Sequence, residues 1–418
     1  MSRRRRWTPV KGTGNRVYEP GERLLIRTLD LPGRALFGLG RALGLLRTPT
    51  VDPDSIREVL VLRLDRIGDV LLSLPALGEL RGALPNARIR LAVGSWSESV
   101  ARAAPVDEIV VWNAPWVGRL SEGADSVGTL LRRARDLRPA KLDLAIDLQG
   151  DLRASLLMWL SGARIRAGYG NTGGTWLLTH VIPLDETVSW VEQNRLAVEA
   201  VLGPSVRRVT VDPLSAGDRD VARRLETELE FASRRPVVGI HPSGGRLVKQ
   251  WDVTRWAAVA DRLQREFGAT VVVTGSMADR PLAGALAHAL ERPVLDTTGR
   301  LGASEMMALI ERLDVFLSAD TGPMHMACAV DTPSVAVFGP TDPVRFFSGG
   351  DGASGSRHVV VRPELWCSPC NLIRRPPREC AGPEMPECLS LVTVEHVYGE
   401  AARLLTQSGF VPAAGVSG

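Results

Sequence analysis

The sequence predicts an α/β protein built from two parallel-sheet domains, and three observations carry that expectation. Short apolar runs of strand length alternate with longer helix-like stretches along most of the chain. The alternation occurs twice, in halves separated by a cluster of Pro204, Pro213 and Gly217. The chain has 418 residues, 44% hydrophobic and 23% charged, enough for two cores of about 150–200 residues each. Strands joined through helices run parallel, so each half should form a sheet covered by helices.

In the first half, residues 59–64 read as a buried strand, 65–68 as a polar turn and 69–84 as a helix. Further strands are expected at 89–93, 108–112 and 143–148, with helices around 97–103, 127–137 and 152–160. The second half repeats this grammar, with strands at 236–241, 269–274, 314–318 and 334–338 and helices at 251–267, 280–290 and 304–312. The division that follows is an N-terminal extension at 1–55, a first domain at 56–212, a second at 213–393, and a terminal helix and tail at 394–418. Ligands of such sheets bind at the carboxyl ends of the strands.

Charge is unevenly placed. The chain carries a net +4, yet residues 1–50 hold eleven Lys or Arg against three Asp or Glu, a net +8, which leaves the rest at −4. The opening Arg3 to Arg6 is followed by polar residues in place of a signal-peptide apolar core, and no run of eighteen apolar residues appears. A cytoplasmic protein is expected. Between residues 22 and 47, Arg27, Arg34, Arg41 and Arg47 are spaced among leucines, as in basic amphipathic helices interrupted near Pro32 and Gly33. Such a stretch suits the anionic inner face of the cytoplasmic membrane, each basic residue contributing about 1 kcal/mol. The plainer reading is a helix packed on the protein behind a basic tail. Few aromatics interleave with these charges and the body is acidic, which argues against nucleic acid.

Three turns carry candidate chemistry. Residues 313–327 pack a strand, the turn Asp320-Thr321-Gly322 and a helix start marked by Pro323 into fifteen positions. A helix beginning past a strand end aims backbone N–H groups and a positive dipole end at its surroundings, which favours a phosphate. The triplet also resembles that of aspartic proteases, but it occurs once and is followed by helix formers. A structural turn capped by Asp320 is the other alternative. The segment 239–251 joins a strand to a loop with Ser243, Gly244 and Gly245 and then Lys249, where close backbone approach and an ammonium group would meet a diphosphate. It lacks the GxxxxGK[ST] pattern. The turn 63–70 sets Arg63, Asp65, Arg66 and Asp69 at a strand end; Asp69, in the first turn of a helix, is held ionised by the dipole and can take a proton from a hydroxyl, or simply cap the helix.

The segments RIGDVLLSLPAL at 66–77, IDLQG at 146–150, HPSGGRLVKQWDVTRWAAVADRL at 241–263, VVTGSMADRPLA at 272–283 and SADTGPMHMACAV at 318–330, with PSVAVFGPTDP at 333–343, stand in the order found in family 9 glycosyltransferases. Over roughly residues 57–405 the chain resembles an ADP-heptose:lipopolysaccharide heptosyltransferase. The resemblance implies a GT-B fold of two Rossmann-like domains facing across a cleft, with the nucleotide sugar on the second and a glycolipid acceptor on the first. It implies inverting transfer with no cofactor required for catalysis. It assigns Asp69 as the base, Lys249 to the diphosphate, and Asp320, Thr321 and Gly322 to the donor turn. Asp279 stands where the family carries a glutamate that contacts the ribose. His325, one turn into the helix, is read as a ligand or as a packing group.

On the acceptor side, Asp147 and Gln149 are expected to meet sugar hydroxyls, and Arg63, Arg66 and Arg153 to pair with acceptor phosphates or carboxylates. Surface ion pairs account for the arginines equally well. Cys367, Cys370, Cys380 and Cys388 form C-x2-C-x9-C-x7-C, a pattern that suits a structural zinc knot, with reduced thiols or a disulfide pair as alternatives. Two other classes of function share this architecture: a nucleotide-sugar epimerase, which needs no acceptor, and a non-catalytic nucleotide-sugar binder, which needs no base.

Overall fold

The computed structural model describes residues 20–43, 48–117, 123–204, 206–374, 376–380 and 385–413. The basic run Arg3 to Arg6 and Arg47 lie outside them. The chain divides between Val211 and Asp212 into two units. No helix among the described residues is long and apolar enough to cross a membrane.

The first unit contains α1 (Pro20–Ala42), β1 (Glu58–Leu62), α2 (Ile67–Ala83), β2 (Arg88–Val93), α3 (Glu98–Ala101), β3 (Glu108–Val111), α4 (Val127–Asp136), β4 (Leu144–Asp147), α5 (Leu152–Leu160), β5 (Ile165–Tyr169), β6 (His180–Ile182) and α6 (Trp190–Leu202). Its strands form one parallel sheet in the order β3-β2-β1-β4-β5-β6. The second unit contains α7 (Ala216–Glu228), β7 (Val237–His241), α8 (Val253–Phe267), β8 (Thr270–Val273), α9 (Arg280–Ala289), β9 (Leu295–Asp296), α10 (Ala303–Glu311), β10 (Val315–Ala319), α11 (Gly322–Ala329), β11 (Ser334–Val337), α12 (Pro343–Phe346), β12 (His358–Val361), α13 (Glu387–Ser390) and α14 (Val394–Gln407). Its sheet runs β12-β11-β10-β7-β8-β9, again all parallel.

The two sheets share one winding. Each starts in the middle, runs outward on one side and crosses back to the other, so the strand order reverses between β1 and β4 in the first unit and between β7 and β10 in the second. A crevice opens at such a reversal because the connections leave on opposite faces. All three candidate turns follow strands at these reversals, after β1, β7 and β10.

Burial explains the strand composition. In β7 and β10 every residue is buried, as strands covered on both faces require. The second core gathers Val238, Ile240, Trp251, Trp256, Val271, Leu317 and Leu404, with the Trp251 and Trp256 rings edge to face at 4.7 Å. Helix α14 belongs to that core through Val397, Tyr398, Ala401, Leu404 and Leu405. The first core gathers Leu60, Leu62, Trp112, Leu130, Ala145 and Met158.

The structure adds β5, β6, α6, α7, β9 and β12 to the elements that periodicity located. Most of these are short; α7 is polar apart from a thin stripe that buries Ala222 and Leu225 together with Glu226, while α6 is a 13-residue helix that buries Ala197, Val198, Val201 and Leu202. Helix α1 departs from expectation in the other direction, running unbroken through Pro32 and Gly33. Pro32 lies on the exposed side, where loss of one helical bond is tolerated. Gly33 is required by contact, since a Cβ there would lie 2.3 Å from Cε2 of Trp176.

Within β7, a Cβ on Gly239 would lie 2.4 Å from Cδ1 of Leu313 and 2.8 Å from Cδ2 of Phe316. Gly239→Ala should therefore destabilise the second unit by about 1–3 kcal/mol through overpacking, read as a lower urea midpoint at unchanged slope; an unchanged midpoint would show that the strand interface yields.

Candidate active site

At the β7/β10 reversal, the loop after β7 folds back on itself because Gly244 lets it. A Cβ at Gly244 would stand 2.5 Å from the Gln250 nitrogen and 2.6 Å from the Lys249 carbonyl carbon. Gly245 supplies the left-handed turn at φ 66°, and its N–H donates to the Ser243 hydroxyl at 3.3 Å. A short turn, Leu247–Lys249, then sends the Lys249 side chain inward. Its ammonium donates to Oδ2 of Asp320 at 3.1 Å and to the Asp320 carbonyl. Lys249 is 8% and Asp320 5% exposed, so each ion depends on the other. Burial pushes the Asp320 carboxyl up, but Lys249, the Thr341 hydroxyl and His325 hold it below the usual carboxylate range.

Beyond Asp320, Thr321 takes an extended conformation as the cap of α11, with Pro323 in the first turn. No atom lies within 4 Å of where a Gly322 Cβ would be, so the helix start faces open space. The His325 ring meets the Ser348 hydroxyl at 3.1 Å through Nδ1. Asp279 turns out to be a cap: its Oδ2 accepts the Ser276 N–H at 2.8 Å and hydroxyl at 2.6 Å. Burial raises its pKa, but the Ser276 and Ser243 hydroxyls outweigh that and hold the group ionised. His241, beside it, is pushed down to about 4 by burial and stays neutral. Ser243, Gly244, Lys249, Asp279, Asp320, Thr321, Gly322 and His325 thus all sit on the loops and helix starts of one sheet edge.

The β1/β4 reversal in the first unit is organised by Arg63. Expected to pair with an acceptor, it is instead 2% exposed and spends its guanidinium on the protein. It donates to the Asp69 carbonyl at 3.0 Å and to the Leu148 carbonyl, and lies 3.3 Å from the Asp65 carboxylate and 3.8 Å from Oδ1 of Asp69. The loops after β1 and β4 are thereby tied together. Asp69, at the third position of α2, accepts the Arg66 N–H at 3.2 Å through Oδ2, so it does cap its helix. Its side chain is still 28% exposed, and the cap leaves Oδ1 on the Arg63 side. Burial pushes Asp65 up to about 8, against the pull of Arg63 and with help from the Asp69 carboxylate. Burial thus biases Asp65 towards the neutral acid, while the Arg63 charge favours the ionised form of both aspartates.

Asp147 also departs from its expected role. Fully buried, its carboxylate accepts the N–H groups of Gln149, Gly150 and Asp151 at 2.9, 3.1 and 3.1 Å, and burial lifts its pKa to about 6. Its carboxylate anchors the turn. Arg153 pairs with Asp151 at 2.5 Å and lies over the Trp116 ring at 4.6 Å; Arg66 remains exposed. The buried Oε1 of Gln149 has no hydrogen-bond partner. Among the other buried side chains in that state are two that the motifs did not mark and that follow strands of this sheet, Asn171 through Oδ1 and Trp116 through Nε1. They follow β5 and β3, and only their position after a strand end, near Pro115 and Gly173, hinted at them.

No disulfide joins the five cysteines. Burial and the neighbouring thiols raise the pKa of Cys367 and push Cys388 up to about 12. The segment offers the sulfur donors a zinc site uses, yet among the described residues no group of three or more His, Cys, Asp or Glu side chains is arranged to hold a metal ion.

Residues 130–377, more than half of the chain, match the model of glycosyltransferase family 9 (heptosyltransferase). Lipopolysaccharide heptosyltransferase 3 of Escherichia coli K12 is 28% identical over 72% of this chain and 91% of that protein. Lipopolysaccharide heptosyltransferase 1 of Pseudomonas aeruginosa is 27% identical over 75% of this chain and 86% of its own length. Among solved structures, the E. coli ADP-heptose LPS heptosyltransferase II superposes with a TM-score of 0.67 at 21% identity, covering 84% of this chain and 99% of that one; it shares the GT-B fold.

The Asp65 carboxyl generates a pH prediction. Its pKa is near 3.8 in the unfolded chain and about 8 in the folded one, so the folded state binds the extra proton between those values and stability falls as pH rises through that window. Asp65→Asn removes this loss. The thermal midpoint of the variant relative to the parent should climb steadily from pH 4 to pH 8; a constant difference would place the proton elsewhere.

Proposed function

The chain belongs to glycosyltransferase family 9, the heptosyltransferases, and on that premise we propose that it transfers a heptose from ADP-heptose to a lipopolysaccharide-core acceptor. The observation that carries the reading is the buried Lys249–Asp320 pair at the β7/β10 reversal, beside the open start of α11. A lysine held by one carboxylate in a loop closed by Gly244 is a fixed positive charge, and the helix start adds N–H groups of the same sign. Together they suit a leaving diphosphate. The acceptor glycan in this reading is carried by a lipid of the cytoplasmic membrane, and the enzyme works on its inner face.

The chemistry is a single displacement. The acceptor oxygen forms a bond to the anomeric carbon as the bond from that carbon to the diphosphate oxygen breaks with its electron pair. Attack and departure on opposite faces invert the configuration. Asp69 takes the hydroxyl proton: its carboxylate is exposed enough to be reached, and Arg63 fixes the loop that carries it. Asp65, biased by burial towards the neutral acid, is the poorer acceptor of the two. Lys249 and α11 stabilise the charge that develops on ADP, with Ser243 and Asp279 on the nucleotide side. Gln149, Asn171 and Trp116 offer the polar atoms that a polyhydroxylated acceptor would satisfy.

Among ADP-, UDP- and GDP-sugars, ADP-heptose should raise the thermal midpoint most; no shift with it would overturn the donor assignment. Asp69→Asn should lose transfer by at least about a hundredfold while ADP-heptose still stabilises it, whereas Lys249→Ala should lose both transfer and stabilisation. Wild-type turnover in Asp69→Asn would remove it as the base. Because protein charges compensate the diphosphate here, transfer rates should be the same in EDTA and in magnesium, and a metal requirement would contradict that assignment.

A further inference from the structure

The two sides of α1 differ sharply. On one side the helix is clamped to the first unit. Asp30 accepts the Gly174 N–H at 2.9 Å and the Trp176 indole N–H at 3.1 Å, Gly33 lies flat against Trp176, and the Phe37 ring meets that indole at 4.9 Å between centroids. At 3.6 residues per turn, Asp30, Gly33, Phe37 and Gly40 span an arc of roughly 80°. The opposite arc, roughly 140° wide from Leu31 to Leu36, carries Leu31, Leu36, Leu39 and Leu43, which are 75, 69, 58 and 63% exposed. Nothing in the described chain covers them. An isolated exposed leucine needs no explanation, but four on one face of a helix pinned by its other face do.

Charge decides between occupants. Arg34 pairs with Asp30 at 2.8 Å and is itself 57% exposed, and the sequence around the helix gives residues 1–50 a net +8 while the rest of the chain is at −4. A second copy would bring +8 against +8. An anionic lipid surface offers both the hydrocarbon that the leucines lack and the opposite charge. We propose that α1 is a membrane-docking helix: its leucine face enters the headgroup and acyl boundary of an anionic bilayer while Asp30, Gly33 and Phe37 hold the first unit to it. Because the clamp is made to Gly174 and Trp176, just beyond β5, docking fixes the first unit at the bilayer and does not merely tether it. This surface is independent of the sugar-transfer reading, so either can fail without the other.

Co-flotation of the full chain with vesicles tests it, using phosphatidylcholine alone or mixed with phosphatidylglycerol. The parent should float with the mixed vesicles and far less with the neutral ones. The double variant Leu36→Ser, Leu39→Ser should lose about tenfold or more of that binding, with an unchanged thermal midpoint because neither leucine packs on the protein. Equal flotation of parent and variant would overturn the proposal, as would equal binding to neutral and anionic vesicles. A dimer in solution that the double variant dissolves would assign the face to a second copy instead.

Discussion

A lysine ammonium that is nine-tenths buried survives as a cation only if an anion is buried with it, and Asp320 is that anion. The geometry of the second unit's strand reversal follows from this pair. Lys249 reaches Asp320 because Gly244 lets residues 249 and 250 close over the loop, and because β7 and β10 are neighbours whose registers align His241 with Ser318. With Asp320 held in place, α11 starts immediately beyond it, and its first N–H groups share a crevice with the lysine. Removing either ion strands the other in a region where water cannot replace it.

The first unit meets the same requirement differently. There the buried cation is Arg63, and its five donors bind two carbonyls and face two carboxylates. An arginine can serve so many partners because its fork is planar and always charged. The result is a stiff turn in which two aspartates four positions apart differ in kind. Asp65 is pushed towards the neutral acid by burial, and Asp69 stands at the rim with part of its carboxylate exposed. Environment, more than residue type, separates the two carboxyl groups.

Much of the architecture was legible in the chain. The runs at β1, β7 and β10 are apolar because both faces of a parallel strand are covered, and that signal needs no partner to be read. Glycine and proline punctuation marked the turns, and Asp69, Lys249 and Asp320 stood out as charged residues at strand ends. The short edge strands β6, β9 and β12 left little periodicity, and α7 hides a thin apolar stripe in a polar helix. Pro32 suggested a break in α1 that the exposed position of that residue made unnecessary.

What the sequence by itself determined, then, is the alternation of strand and helix, the two-unit plan, the location of the charged turns at the strand ends and the basic character of the N-terminal end. These are properties of residues within a few positions of one another. Which charges turn inward is not. Arg63 finds the Leu148 carbonyl 85 positions away, and Lys249 finds Asp320 across 71. Asp147 reads as an exposed carboxylate until three backbone N–H groups enclose it. The tertiary structure decided those roles because a charged group in a crevice is governed by burial and by the partners brought to it, and both are set only when distant strands pair.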